Sequence, residues 1–103
     1  MIDLIVKNRE SLNNICLKNN VSTLYLFGSA LTESFNNTSD LDFAVEFKTQ
    51  LSPLEIGESF LNLLEDLENL FDKKIDLISY RSIKNPVFKS ELDKTKFSLY
   101  AAA

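Results

Sequence analysis

Asp40 and Asp42 stand one residue apart in the run Ser39-Asp40-Leu41-Asp42-Phe43, ten residues after the pair Gly28-Ser29. On a strand, successive side chains point to opposite faces, so the two carboxylates share one face while Leu41, Phe43 and Val45 share the other. Two anions held side by side repel unless a cation sits between them. Mg²⁺ suits such a pair, because it prefers carboxylate oxygens together with the oxygens of a bound phosphate. Gly28-Ser29 can supply the phosphate side: glycine lets the backbone approach closely, and backbone N–H groups with a hydroxyl suit an anion. A third carboxylate, Asp76, interrupts the apolar run from Lys74 to Tyr80, opposite Ile75 and Leu77. Beside the strand of Asp42 it would join the same face; at a sheet edge it would simply face water, and the pattern leaves both open. Taken singly, each of these features is also what a surface turn and solvated aspartates produce.

Periodicity outlines the elements that must position these groups. Residues 3 to about 19 carry Leu4, Ile5, Leu12, Ile15 and Cys16 at helical spacing. Asn19-Asn20 closes that helix, since asparagine tolerates the left-handed conformation. Val21 to Phe27, rich in β-branched and aromatic residues, is a first strand that delivers Gly28-Ser29 at its end. Ala30 to Phe35 has room for a helical turn or two, and Asn36 to Ser39 is a loop by composition. Asp40 to Phe47 is the second strand. Ser52-Pro53-Leu54-Glu55 opens a helix with an N-cap, a proline at its first position and a capping box. Its apolar stripe runs through Ile56, Phe60, Leu63, Leu64, Leu67, Leu70 and Phe71, with Glu58, Glu65, Asp66 and Glu68 as a solvated face. Lys74 to Tyr80 is a third strand, and Asn85-Pro86 begins another helix. The small apolar face of that helix, Val87, Phe88 and Leu92, either packs inward or forms a dimer or partner surface. Lys96 to Tyr100 is a last strand or turn.

Composition narrows the chemistry. With 103 residues, 45% apolar and 25% charged, residues 1–100 form a single globular domain and 101–103 an uninformative alanine tail. There is no histidine, which excludes a Ser-His-Asp triad, a histidine general base and an H-E-x-x-H zinc site. Cys16 is the single cysteine, so an intrachain disulfide is excluded and a small buried residue is expected. Carboxylates must therefore carry any acid–base or metal chemistry. A net charge of −4 argues against a nucleic-acid partner. No apolar run reaches the roughly 20 residues that span a bilayer, and the N-terminus has no signal-peptide pattern, so a cytoplasmic protein without a membrane partner is expected.

The pattern of Gly28-Ser29, ten residues and Asp40-x-Asp42, with strands before Gly28 and from Asp40 to Phe47, resembles the nucleotidyltransferase superfamily that includes DNA polymerase beta. Within it the chain is similar to the minimal nucleotidyltransferases of prokaryotes, which are often paired with a HEPN-domain protein; Lys74 to Ser79 and Ile83-Lys84-Asn85-Pro86 extend the likeness. The resemblance implies an α/β (α+β) fold, with a small mixed sheet and helices packed on one face. It also implies two Mg²⁺ ions held by Asp40, Asp42 and Asp76, and ATP as substrate with its outer phosphates on Gly28 and Ser29. The activity implied is transfer of AMP to a hydroxyl of an acceptor protein, a HEPN toxin being the expected partner, with a homo-oligomer also open. Alternatives are a binding module that neutralises a partner by contact alone, and transfer to a small molecule held by another chain. The sequence departs from the common pattern after Ser29: Ala30-Leu31-Thr32-Glu33 stands where many members carry an arginine and, about four residues later, a glycine. A missing guanidinium withdraws a contact worth about 1.5–3 kcal/mol. Lys48, Lys73, Lys74 and Arg81 are cations that could replace it, and the sequence assigns none of them.

Overall fold

The computed structural model describes residues 2–27 and 41–102. The chain runs α1 (Ile2–Lys7), α2 (Arg9–Lys18), β1 (Val21–Phe27), β2 (Leu41–Phe47), α3 (Pro53–Phe71), β3 (Ile75–Ser79), a 3-10 turn (Tyr80–Ser82), α4 (Pro86–Thr95) and β4 (Phe97–Ala101). The strands form one mixed sheet in the order β3-β2-β1-β4. β1 is antiparallel to both β2 and β4, while β2 and β3 are parallel.

Where one helix was expected over residues 3 to 19, two occur, parted at Asn8. The Asn8 side chain donates to the Leu4 carbonyl at 2.9 Å, and this competition with the helical ladder is how a mid-helix asparagine interrupts it. The chain leaves α2 through Asn20 at φ 61°, the left-handed turn that the asparagine pair implied.

Leu24 and Leu26 of β1 pair with Val45 and Phe43 of β2, and all four are buried in one core with Leu12, Cys16, Leu63, Leu67 and Phe71 from α2 and α3. The Phe43 and Phe71 rings stack at 6.0 Å. α3 begins with the expected capping box, Glu55 N–H donating to Ser52 Oγ at 3.2 Å and Ser52 N–H to Glu55 Oε1 at 3.0 Å. Its buried stripe is shorter than the sequence stripe: Leu63, Leu67 and Phe71 are buried, whereas Ile56 is 38% exposed. A 19-residue helix is about 28 Å long and a strand of five residues such as β3 about 17 Å, so the first turns of α3 outrun the sheet edge they cover.

Two parallel crossovers set the layers. β2–α3–β3 moves one strand outward, and β3–α4–β4 returns across the whole sheet to the opposite edge. Crossovers of one hand that run in opposite directions put their helices on opposite faces. The helical layer expected on one face is thus α2 and α3, and α4 crosses the other face. There the Phe88 ring meets Phe27 at 6.1 Å, and Tyr80, beside α4, meets Tyr25 at 5.4 Å. Of the small apolar face of α4, Leu92 is buried, whereas Phe88, although its ring meets Phe27, is still 41% exposed and Val87 is exposed. The last segment is a strand, whose pairing reaches Ala101 opposite Thr23, one residue into the alanine tail.

Candidate active site

β1 ends at Phe27 and β2 begins at Leu41, so Gly28, Ser29 and Asp40, with Ala30 to Glu33, lie outside the described residues. Asp42 and Asp76 are described, each as the second residue of its strand. The parallel register pairs them directly, which sets their side chains on one face about 5 Å apart. The register is fixed from the opposite face. Leu41 and Ile75, the preceding pair, are both buried, and a slip of one residue would drive a carboxylate into the core.

Asp76 is exposed and Asp42 half-buried. Both sequence readings of Asp76 hold together: β3 is an edge strand open to water, and its carboxylate lies beside Asp42. On the other side Asp42 pairs with Phe27, whose ring meets Phe88. The donor set is oxygen only, the chemistry that a hard divalent ion such as Mg²⁺ selects. Among the described residues no three acidic groups gather into a metal site; the third expected ligand is Asp40.

Farther along the same face lies a network that the sequence did not reveal. The carboxylate of Glu46 accepts from the Tyr25 hydroxyl at 3.2 Å and from Arg81 Nε at 3.3 Å. Lys96 Nζ lies 4.8 Å from the centre of the Tyr25 ring, 5.0 Å from that of Tyr80 and 2.8 Å from Asp93 Oδ1. The bond to Asp93 raises the Lys96 pKa and, with the Tyr80 hydroxyl as second donor, lowers that of Asp93. The Tyr80 hydroxyl is raised chiefly by its 2.6 Å bond to Asp93, and the Tyr25 hydroxyl by burial and then by Glu46. These contacts tie the 3-10 turn and the end of α4 to the sheet. Arg81 is thereby bonded to Glu46. The one sequence signal was that Tyr25 alternates with Leu24 and Leu26, which places its ring on the carboxylate face. Cys16 is buried as expected, and burial pushes its thiol up to about 12, so it stays neutral.

The family profile described as polymerase beta, nucleotidyltransferase matches residues 10–102. Over 77 residues, 75% of each chain, the sequence is 35% identical to "Putative protein adenylyltransferase MJ1379" of Methanocaldococcus jannaschii. Solved structures share the fold, among them two from toxin-antitoxin pairs. A chain of a toxin-antitoxin complex with AMP-PNP superposes with a TM-score of 0.69 at 23% identity, over 92% of this chain and 74% of that one. A chain from the complex of tri-AMPylated Shewanella oneidensis HEPN toxin with MNT antitoxin does so with a TM-score of 0.62 at 21% identity, over 93% and 71%.

Proposed function

The chain belongs to the polymerase beta nucleotidyltransferase family, and from that membership we propose that it moves AMP from ATP to a hydroxyl on a partner protein, as the antitoxin of a HEPN toxin. The single observation that carries the reading is the in-register pair Asp42 and Asp76 on neighbouring parallel strands. It is supported by the adenylyltransferase name of the M. jannaschii relative and by the AMPylated HEPN toxin in the complex with the like fold.

In this reading Asp40, Asp42 and Asp76 hold two Mg²⁺ ions, which supply charge neutralisation at the triphosphate and a lowered pKa for the acceptor hydroxyl. Gly28 and Ser29 hold the outer phosphates. Asp76 takes the hydroxyl proton as the acceptor oxygen bonds to the α-phosphorus; the bond from that phosphorus to the bridging oxygen breaks, and pyrophosphate leaves.

The test is incubation with ATP, Mg²⁺ and the cognate HEPN protein, followed by intact-mass measurement of that protein. The expected result is a gain of one or more adenylyl groups, with Asp42→Asn reducing the rate by about a hundredfold or more, the several kcal/mol that metal stabilisation of the transition state contributes. An unmodified HEPN protein whose toxicity is still neutralised by Asp42→Asn would replace transfer with inhibition by contact.

A further inference from the structure

α3 carries apolar side chains on two sides. Leu63, Leu67 and Phe71 are buried in the core, while Leu54, Glu58, Leu61, Glu65 and Glu68 recur at alternating spacings of four and three residues along the opposite, exposed side. Leu54 is 72% exposed and Leu61 65%. Gly57 lies between them, three residues after Leu54 and four before Leu61. A glycine inside a helix lowers its stability relative to alanine. Packing within this chain does not call for one here, because a Cβ added at Gly57 would meet nothing within 4 Å. The charge is one-sided as well. Residues 49–72 carry six acidic side chains and no basic one in a chain of net charge −4, so the rest of the chain is positive by two. Glu55 closes the capping box and Asp66 is bonded to Lys18 and Asn19, whereas Glu58, Glu65 and Glu68 form no ion pair among the described residues.

We propose that this side of α3 docks a basic amphipathic helix of a partner protein, its apolar side chains packed on Leu54 and Leu61 about Gly57 and its lysines or arginines beside Glu58, Glu65 and Glu68. The surface selects that occupant. A helix side offers no unpaired backbone groups, so it is recognised through side chains packed ridge into groove, and a glycine at the crossing lets the two axes approach to the ~8 Å end of the usual range. A second copy of the same surface brings like charge against like, and nucleic acid or an anionic lipid surface carries the same sign. β2–α3–β3 is a parallel crossover, so α3 runs back against both strands on the face away from Asp42 and Asp76. Its first turns therefore lie at the opposite end of the sheet from the carboxylate pair. The docked partner leaves the carboxylates uncovered, and the inference stands independently of adenylyl transfer.

The test uses the full chain and a fluorescein-labelled helical peptide of heptad pattern, with leucine along its seam and lysine on both flanks. Its two companions carry glutamate in place of lysine, or a central proline. Binding is read by anisotropy and by the amide resonances of residues 54–68, and folding by thermal melts. The lysine peptide should shift those amides, and the glutamate and proline versions should each bind about tenfold more weakly. Gly57→Leu should melt no lower than the parent chain, since its side chain meets open space, yet lose about tenfold in binding because the axes are held apart. Leu61→Ser, at an exposed position, should lose binding to a similar degree. The double variant Glu58→Lys/Glu65→Lys should prefer the glutamate peptide. Equal binding by Gly57→Leu would mean that lysines adhere to an acidic surface without docking, and would overturn the proposal. Silent amides in α3, an unchanged preference in the double variant, or a Gly57→Leu chain that alone sediments differently from the parent, marking an interface between copies, would each do the same.

Discussion

Asp66 lies on the flank of α3 that the sequence marks as solvated, yet its carboxylate accepts from Asn19 Nδ2 at 2.9 Å and from Lys18 Nζ at 3.0 Å. The bond from Asn19, with Lys18 adding to it, holds its pKa below the ordinary 3.8. A depressed value means that the folded chain binds this proton more weakly than the unfolded chain does. The stabilisation is therefore complete above 3.8 and is lost as the pH falls through the folded value. The side chain is 23% exposed, so water screens part of the interaction. Asp66→Ala should cost about 1 kcal/mol at pH 7 and clearly less at pH 2. Urea denaturation of both proteins at the two pH values measures this, and a difference that does not shrink in acid would contradict the assigned cause.

α3 shows how local chemistry fixes an element at both ends. Ser52→Ala removes the N-cap acceptor and should destabilise the chain by about 1 kcal/mol. At the other end Asp72 sits in the left-handed region at φ 50°, ψ 46°, where a Cβ is strained. Asp72→Gly should raise stability by about 0.5–1 kcal/mol, because glycine adopts that conformation without the steric penalty. Thermal melts of the two variants should move in opposite directions, and a fall with Asp72→Gly would mean that the aspartate side chain makes a compensating bond. The box was legible in the sequence because its parts lie within four residues of one another. The break between α1 and α2 was not, since Asn8 matches an ordinary polar position in a helical pattern.

The whole molecule rests on one core, so a single large truncation there should be felt globally. Leu67 is fully buried among residues of the sheet and α2, while Leu54 of the same helix is 72% exposed. Leu67→Ala should cost about 2–5 kcal/mol, a large share of the roughly 5–15 kcal/mol typical of such a domain, and Leu54→Ala about 0.5 kcal/mol or less. The midpoints of urea unfolding distinguish the two, and similar losses would mean that the first turn of α3 packs more tightly than its exposure implies.

The sequence by itself determined three strands, read as Val21 to Phe27, Asp40 to Phe47 and Lys74 to Tyr80, together with the extent and cap of α3 and the carboxylate spacing that marks the family. Each is a local property: alternation, a 3.6-residue period or a cap motif carries it within a few residues. The tertiary structure alone decided which strands are neighbours, and hence that Asp76, on an edge strand, stands in register with Asp42. It also decided that Asp66 is bonded to the end of α2 and that the Phe88 ring of α4 meets Phe27. Periodicity states which face of an element is apolar but not which other element covers it, because that depends on the path and hand of connections between distant parts of the chain.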